Sequence, residues 1–166
     1  MKVFGFAAAS GSGKTTLIER LIPLFTARGL RVCVIKHAHP GFDLDQPGKD
    51  SFRHREAGAA EVLVSSGTRW ALMHELRGES APELKALVAM LSPCDLVLIE
   101  GFKREPVPRV EVHRRATGAP LLYPGDPHVV AIASDVALDA PLPVFPLDAP
   151  GPLADFLLKQ PDFRPA

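Results

Sequence analysis

The 166 residues carry 19 Lys and Arg against 19 Asp and Glu, with 46% hydrophobic and 23% charged side chains. A chain of this length buries roughly 70% of its unfolded surface, so one soluble domain can stand without disulfides or a structural metal. The balanced charge argues against a protein whose main task is to neutralise nucleic-acid phosphates or an anionic membrane. Apolar runs such as 3–9 and 96–99 fall far short of the roughly 20 residues that span a bilayer. The N-terminus reads as a first strand rather than a signal peptide, which predicts a cytoplasmic protein.

Val3-Phe-Gly-Phe-Ala-Ala8 is a short apolar run bounded by Gly and Ser, the pattern of a buried parallel strand. Leu17, Ile18, Leu21, Ile22, Leu24 and Phe25 then recur at helical spacing, and Gly29 predicts the left-handed cap that ends the helix. Arg31-Val-Cys-Val-Ile-Lys36 completes a strand–helix–strand unit, and the fold class is therefore α/β. Residues 37–49 form a polar loop rich in Gly, Pro and Asp, and 50–57 a short helix. Glu61–Ser65 and Trp70–His74 read as strands around a turn at Ser66-Gly67-Thr68. Residues 82–91 predict an amphipathic helix with Leu84, Leu87, Val88 and Leu91 inward, and Leu96-Val-Leu-Ile99 the next buried strand.

From residue 106 onward, twelve of the chain's 17 prolines restrict regular structure to short pieces. Strands are expected at Arg109–His113 and 128–134, a short one at Val144-Phe145, a closing helix at 153–158 and a fraying tail at 161–166. Neither an internal repeat nor an independent second domain is visible, so residues 1–166 read as a single domain. The two cysteines, Cys33 and Cys94, lack Cys-x-x-Cys spacing and read as buried free thiols.

Chemistry concentrates immediately after the first strand, at Ala8-Ala9-Ser10-Gly11-Ser12-Gly13-Lys14-Thr15-Thr16, where the helix opens. This is a phosphate-binding P-loop with Ala8 in place of the first glycine. Gly11 and Gly13 allow backbone conformations in which the N–H groups of Gly11 to Thr16, with Ser12 among them, converge on phosphate oxygens. Lys14 is placed for the β- and γ-phosphates, Thr15 for Mg²⁺, and Thr16 for the α-phosphate. The predicted architecture is thus a three-layer P-loop NTPase fold with a mostly parallel central sheet and some antiparallel strands. Lys14 and Glu100 are the candidate catalytic residues. Glu100 ends the strand Leu96-Val-Leu-Ile99 and is the Walker B candidate for holding Mg²⁺.

In the loop after the second strand, Asp43 or Asp45 is a candidate for Mg²⁺ ligation or water positioning, with Asp45 preferred. Two other readings of that loop stay open: a transition-metal site using His37 and His39, or a merely solvated polar segment. Asp135, after Val129-Val-Ala-Ile-Ala-Ser134, has two readings as well. Its carboxylate can accept from guanine N1–H and the 2-amino group together, or it simply opens a turn.

Taken with the P-loop, the stretches Lys36-His-Ala-His39, Pro47-Gly-Lys-Asp-Ser51, Ala57-Gly-Ala-Ala60, Arg69-Trp-Ala-Leu-Met73, Glu100-Gly-Phe-Lys103 and Ala133-Ser-Asp135 resemble the MobB family. These are the molybdopterin-guanine dinucleotide biosynthesis adapter proteins. The resemblance implies a homodimeric GTP-binding protein that uses Mg²⁺ and has weak GTPase activity. It implies assistance to a MobA-type guanylyltransferase that attaches GMP to molybdopterin, with molybdopterin and apo-molybdoenzymes as further partners. The competing reading is a small-molecule kinase moving the ATP γ-phosphoryl to a metabolite. The dispersed arginines, with no arginine-rich lid, favour the adapter over the kinase.

Overall fold

The computed structural model describes residues 1–38 and 41–163. They fall into two compact units, Met1–His37 together with the chain from Leu84 onward, and Ala38–Glu83. The first unit contains β1 (Lys2–Ala8), α1 (Lys14–Thr26), β2 (Val32–Lys36), α3 (Leu84–Ala89), β5 (Leu96–Glu100), β6 (Arg109–His113), β7 (Val129–Ser134), β8 (Val144–Pro146) and α4 (Gly151–Lys159). The second contains α2 (Asp50–Glu56), β3 (Glu61–Ser65) and β4 (Trp70–His74).

The six strands of the first unit pair in the order β2-β5-β1-β6-β7-β8, and each pairing is parallel. The expected α/β class is present in a stricter form, because the antiparallel strands lie apart, as the β3-β4 pair of the second unit. Period-two alternation divides the core between the two faces of the main sheet. On one face Phe4, Phe6, Leu96, Leu98, Val110 and Val112 pack against Leu17, Leu21 and Phe25 of α1 and Leu153, Ala154 and Leu157 of α4. On the other, Val3, Ile35, Val97 and Ile99 pack with Leu84 of α3, supported by Leu87, Val88 and Leu91. Helices therefore cover both faces, giving three layers.

Local chemistry sets the element ends. At the end of α1, Gly29 lies at φ 78° and the Leu30 N–H returns to the Phe25 carbonyl at 3.3 Å, the left-handed cap expected from sequence. Helix α3 begins at Leu84, after Pro82, and α4 starts at Gly151 with Pro152 in its first turn, where a missing N–H breaks no helical bond. Between β6 and β7 the chain makes two 3₁₀ turns, Arg115–Thr117 and Tyr123–Gly125, which hydrophobic periodicity does not reveal. Asp162 accepts a hydrogen bond from the Met1 ammonium at 2.8 Å; residues 164–166 of the expected fraying tail lie outside the described residues. Among the described residues no helix is long and apolar enough to cross a membrane.

Leu98, in the middle of β5, is fully buried. Leu98→Ala should lower unfolding stability by about 2–5 kcal/mol through lost apolar burial and the cavity left behind, as read by urea denaturation.

Candidate functional site

Strand β1 ends at Ala8 and the chain turns through 9–13 before α1 starts at Lys14. Gly11 at φ 79° and Gly13 at φ 86° both occupy the left-handed region, so the turn depends on residues without a Cβ. Ser12 between them is buried, and its N–H bonds the Ala9 carbonyl at 3.3 Å. Gly13 is the N-cap of α1, and no side chain caps that helix end. Residues 9–16 line a cavity of about 390 Å³. Uncapped helical N–H groups and the positive end of the helix dipole, set beside Lys14, make this an anion-binding geometry. Thr16 lines the same cavity.

Glu100 closes β5 beside this loop, because Phe6 of β1 is its register partner. Its carboxylate is 13% exposed and gathers three groups. Thr15 Oγ1 donates to Oε1 at 2.8 Å, Lys14 Nζ stands 3.9 Å from Oε1, and Lys36 Nζ stands 3.6 Å from Oε2. The structure thus brings together the candidates Lys14, Thr15 and Glu100. It adds Lys36, which is not among the candidate site residues and whose place opposite Glu100 follows from the parallel register Lys36↔Glu100. Thr15 Oγ1 and Glu100 Oε1 are both hard oxygen donors of the kind Mg²⁺ takes, and their 2.8 Å separation is that of the O–H···O hydrogen bond between them.

The backbone after Glu100 is tightly specified. The His37 N–H donates to the Glu100 carbonyl at 2.8 Å, and the His37 ring packs on Phe102 with centroids 5.0 Å apart. Gly101 has φ 103°, and a Cβ there would lie 2.6 Å from His37 Cβ. Phe102 follows at φ 50°, an uncommon conformation for a residue with a side chain. Buried Arg109 holds this segment from below, donating to the Lys103 carbonyl at 2.7 Å and to the Glu105 carbonyl, with Asp126 Oδ2 at 3.2 Å.

Asp43 and Asp45 lie in the second unit and are already engaged there. Arg55 donates to both Asp43 oxygens at 3.0 and 2.8 Å, to Asp45 Oδ2 at 3.3 Å and to Glu75 Oε1 at 2.8 Å. Ser51 Oγ donates to Asp45 Oδ1 at 2.8 Å. The guanidinium hydrogen bonds, with the Asp45 N–H adding to them, hold the Asp43 carboxyl below its ordinary range. His37 lies in the first unit, whereas His39 of the alternative metal reading lies outside the described residues.

Asp135 follows β7 and is 29% exposed. Its Oδ1 accepts from the Arg115 N–H at 2.9 Å, leaving further lone pairs on both oxygens. It borders a cavity of about 530 Å³ at the ends of β7 and β8, lined also by Arg20, Arg114, Phe145 and Leu147. Arg20 is fixed there by donating to the Leu147 carbonyl at 2.9 Å and to the Asp148 carbonyl.

Two predictions follow from this geometry. Gly101→Ala should destabilise the fold by about 2 kcal/mol or more, through backbone strain and the clash with His37, as read by thermal and urea unfolding. Arg55→Ala should let the Asp43 carboxyl titrate nearer its ordinary value. Because its folded-state value is depressed, the Arg55–Asp43 interaction stabilises the native chain above the ordinary carboxylate range and is lost as pH falls through the folded value. Carboxyl NMR titration of both forms checks this.

A family model described as "Molybdopterin guanine dinucleotide synthesis protein B" matches residues 3–135. Over 160 residues the chain is 43% identical to the molybdopterin-guanine dinucleotide biosynthesis adapter protein of Escherichia coli strain K12, covering 95% of this chain and 91% of that one. The adapter protein of the same name from Haemophilus influenzae is 39% identical, covering 93% and 86%. A crystal structure of molybdopterin-guanine biosynthesis protein B superposes with a TM-score of 0.75 at 28% identity, covering 94% of this chain and 97% of that one. The crystal structure of Bacillus subtilis MobB superposes at 0.73 with 26% identity over 95% and 96%. The six-stranded fold and the match across most of its length agree, and the chain belongs to the MobB family.

Proposed function

We propose that this chain binds GTP together with Mg²⁺ and acts as an adapter for a MobA-type guanylyltransferase that converts molybdopterin to its guanine dinucleotide. The observation that carries the nucleotide part is the 2.8 Å hydrogen bond from Thr15, on the first turn of α1, to Glu100, at the end of the neighbouring strand. It joins a phosphate-type loop to a carboxylate at one sheet edge, as metal-assisted nucleotide binding requires. The loop N–H groups from Gly11 to Thr16 hold the phosphates, Lys14 neutralises the β- and γ-oxygens, and Thr15 and Glu100 hold the metal or its water shell. The metal, when bound, supplies charge neutralisation between phosphates. Asp135 reads the base at the cavity beyond β7.

The adapter part is supported by the names of the two bacterial relatives, each matched over nearly its whole length. Hydrolysis by the chain alone is slow on this reading. Rapid γ-phosphoryl transfer to water needs a positioned nucleophile and an added cation such as an arginine finger. Arg55, the arginine that bonds the carboxylates of the 37–49 loop, is committed to Asp43, Asp45 and Glu75.

Calorimetric titration with nonhydrolysable GTP and ATP analogues, each with Mg²⁺, should give tighter GTP binding; equal or tighter ATP binding would overturn the guanine assignment. Lys14→Ala should weaken the GTP analogue at least about tenfold while leaving the fold intact, since a charge-assisted contact to phosphate is lost. Asp135→Ala should narrow the preference for GTP over ATP. The adapter role is checked by the rate of dinucleotide formation by a MobA-type enzyme with and without this chain, where no change would sink it.

A further inference from the structure

Four features stand in order along the carboxyl edge of the main sheet. Glu100 ends β5, the loop 9–16 follows β1, Arg114 follows β6 and Asp135 follows β7, and the sheet order is β5-β1-β6-β7. The register is continuous here, with Ala8 pairing with Val112 and Val112 with Ala133. Arg114 therefore stands one strand from the loop, on the side opposite Glu100.

Its guanidinium lies against that loop, since a Cβ on Gly13 would be 3.2 Å from Arg114 Nη2. On its other side, Nη1 is 3.9 Å from Asp135 Oδ2, an ion pair too long for a hydrogen bond. Among the described residues the Arg114 side chain donates no hydrogen bond, and it remains 42% exposed on the wall of the 530 Å³ cavity. A guanidinium has five N–H donors in a planar fork suited to phosphate oxygens. Here that fork is held between an anion-binding loop and a carboxylate, with its donors unspent.

We propose that Arg114 is a side-chain contact to the α-phosphate in the nucleotide site, alongside Thr16 of the loop, exchanging its ion pair with Asp135 for the phosphate when nucleotide binds. The inference rests on the nucleotide reading above and deepens it. A nucleoside triphosphate presents γ-, β- and α-phosphates, ribose and base in that order. The sheet edge presents a metal-competent carboxylate, the phosphate loop, Arg114 and then Asp135 in the same order. A nucleotide with its γ-end at Glu100 and its base at Asp135 carries the α-phosphate past Arg114. Phosphate then replaces Asp135 as the counter-ion, which frees Asp135 Oδ2 for the base while Oδ1 stays on the Arg115 N–H.

The test compares GTP, GDP and guanosine, and their adenine counterparts, binding to the native chain, Arg114→Ala and Arg114→Lys. Calorimetry serves the nucleotides and NMR titration the weak nucleosides. Arg114→Ala should weaken GTP and GDP by the same factor, about tenfold or more, because both nucleotides share the α-phosphate, and should leave guanosine no weaker, because Asp135 Oδ2 is then already free of its ion pair. Arg114→Lys should restore part of the loss, as a point charge without the fork. Unchanged GDP affinity, a loss confined to the triphosphate, or an equal loss for the nucleoside would each overturn the Arg114 assignment while native nucleotide binding leaves the wider reading standing. A native chain that binds neither nucleotide series would overturn both.

Discussion

A parallel pair of strands cannot be closed by a tight hairpin, so each strand of the main sheet hands the chain to a crossover that returns it to the opposite edge. With all six strands parallel, the segments after β1, β2, β5, β6 and β7 emerge on one edge. That single constraint gathers Lys14 and Thr15, Lys36, Glu100, Arg114 and Asp135, which are spread over more than a hundred positions of sequence. An antiparallel strand among β1, β5 and β6 would carry Glu100 or Arg114 to the far edge. The nearly uninterrupted apolar strands Leu96-Val-Leu-Ile99 and Val3-Phe-Gly-Phe6 are what such a sheet demands, since helices cover both faces.

At that edge the charges are arranged around one helix end. The uncapped N-terminus of α1 and Lys14 create a positive field, and Glu100 limits it on one side while Asp135 limits it on the other. Glu100 is kept in place by a hydroxyl and two ammonium groups rather than by a single rigid partner. Thr15 and Lys14 both open α1, directly after the loop that follows β1, and Lys36 ends β2, so the carboxylate reports the alignment of β1, β2 and β5 together.

The α/β class, the glycine turn at the start of α1 and nearly every element are legible because local patterns encode them: glycines at Gly11 and Gly13, helical spacing from Leu17 to Phe25, and the Gly29 cap. Glu100 could be picked out because a buried strand ended in a lone acid. The rest depended on register and tertiary cover, which periodicity does not contain. Arg109 and Glu111 alternate with Val110 and Val112 and look like a solvated strand face, yet both are buried. Glu111 is satisfied by the Leu122 and Tyr123 N–H groups at 2.8 and 3.0 Å, and Arg109 by carbonyls after β5. Arg114 carries no motif, and although Lys36 opens the Lys36-His-Ala-His39 stretch, only strand pairing reveals that it stands beside Glu100. Asp45 has the type and the loop position of a metal ligand, and its oxygens are taken by Ser51 and Arg55.

The two ends of the edge differ in how firmly they are built. Behind Glu100, Gly101 admits no Cβ, His37 bonds the Glu100 carbonyl and packs on Phe102, and buried Arg109 grips the following carbonyls. A left-handed Phe102 persists only where such surroundings over-determine it, and the result is a carboxylate whose backbone cannot drift. Arg114 instead extends past its strand end, with a single long ion pair and substantial exposure. A hydrogen bond of 2.8 Å such as Thr15 to Glu100 tolerates little displacement, because it weakens steeply with distance and angle. A guanidinium lying against the Gly13 turn tolerates more, because charge attraction falls off slowly with distance. The fold therefore spends its backbone strain and its buried arginine on the carboxylate side, and leaves the side nearer Asp135 to a long, adjustable side chain.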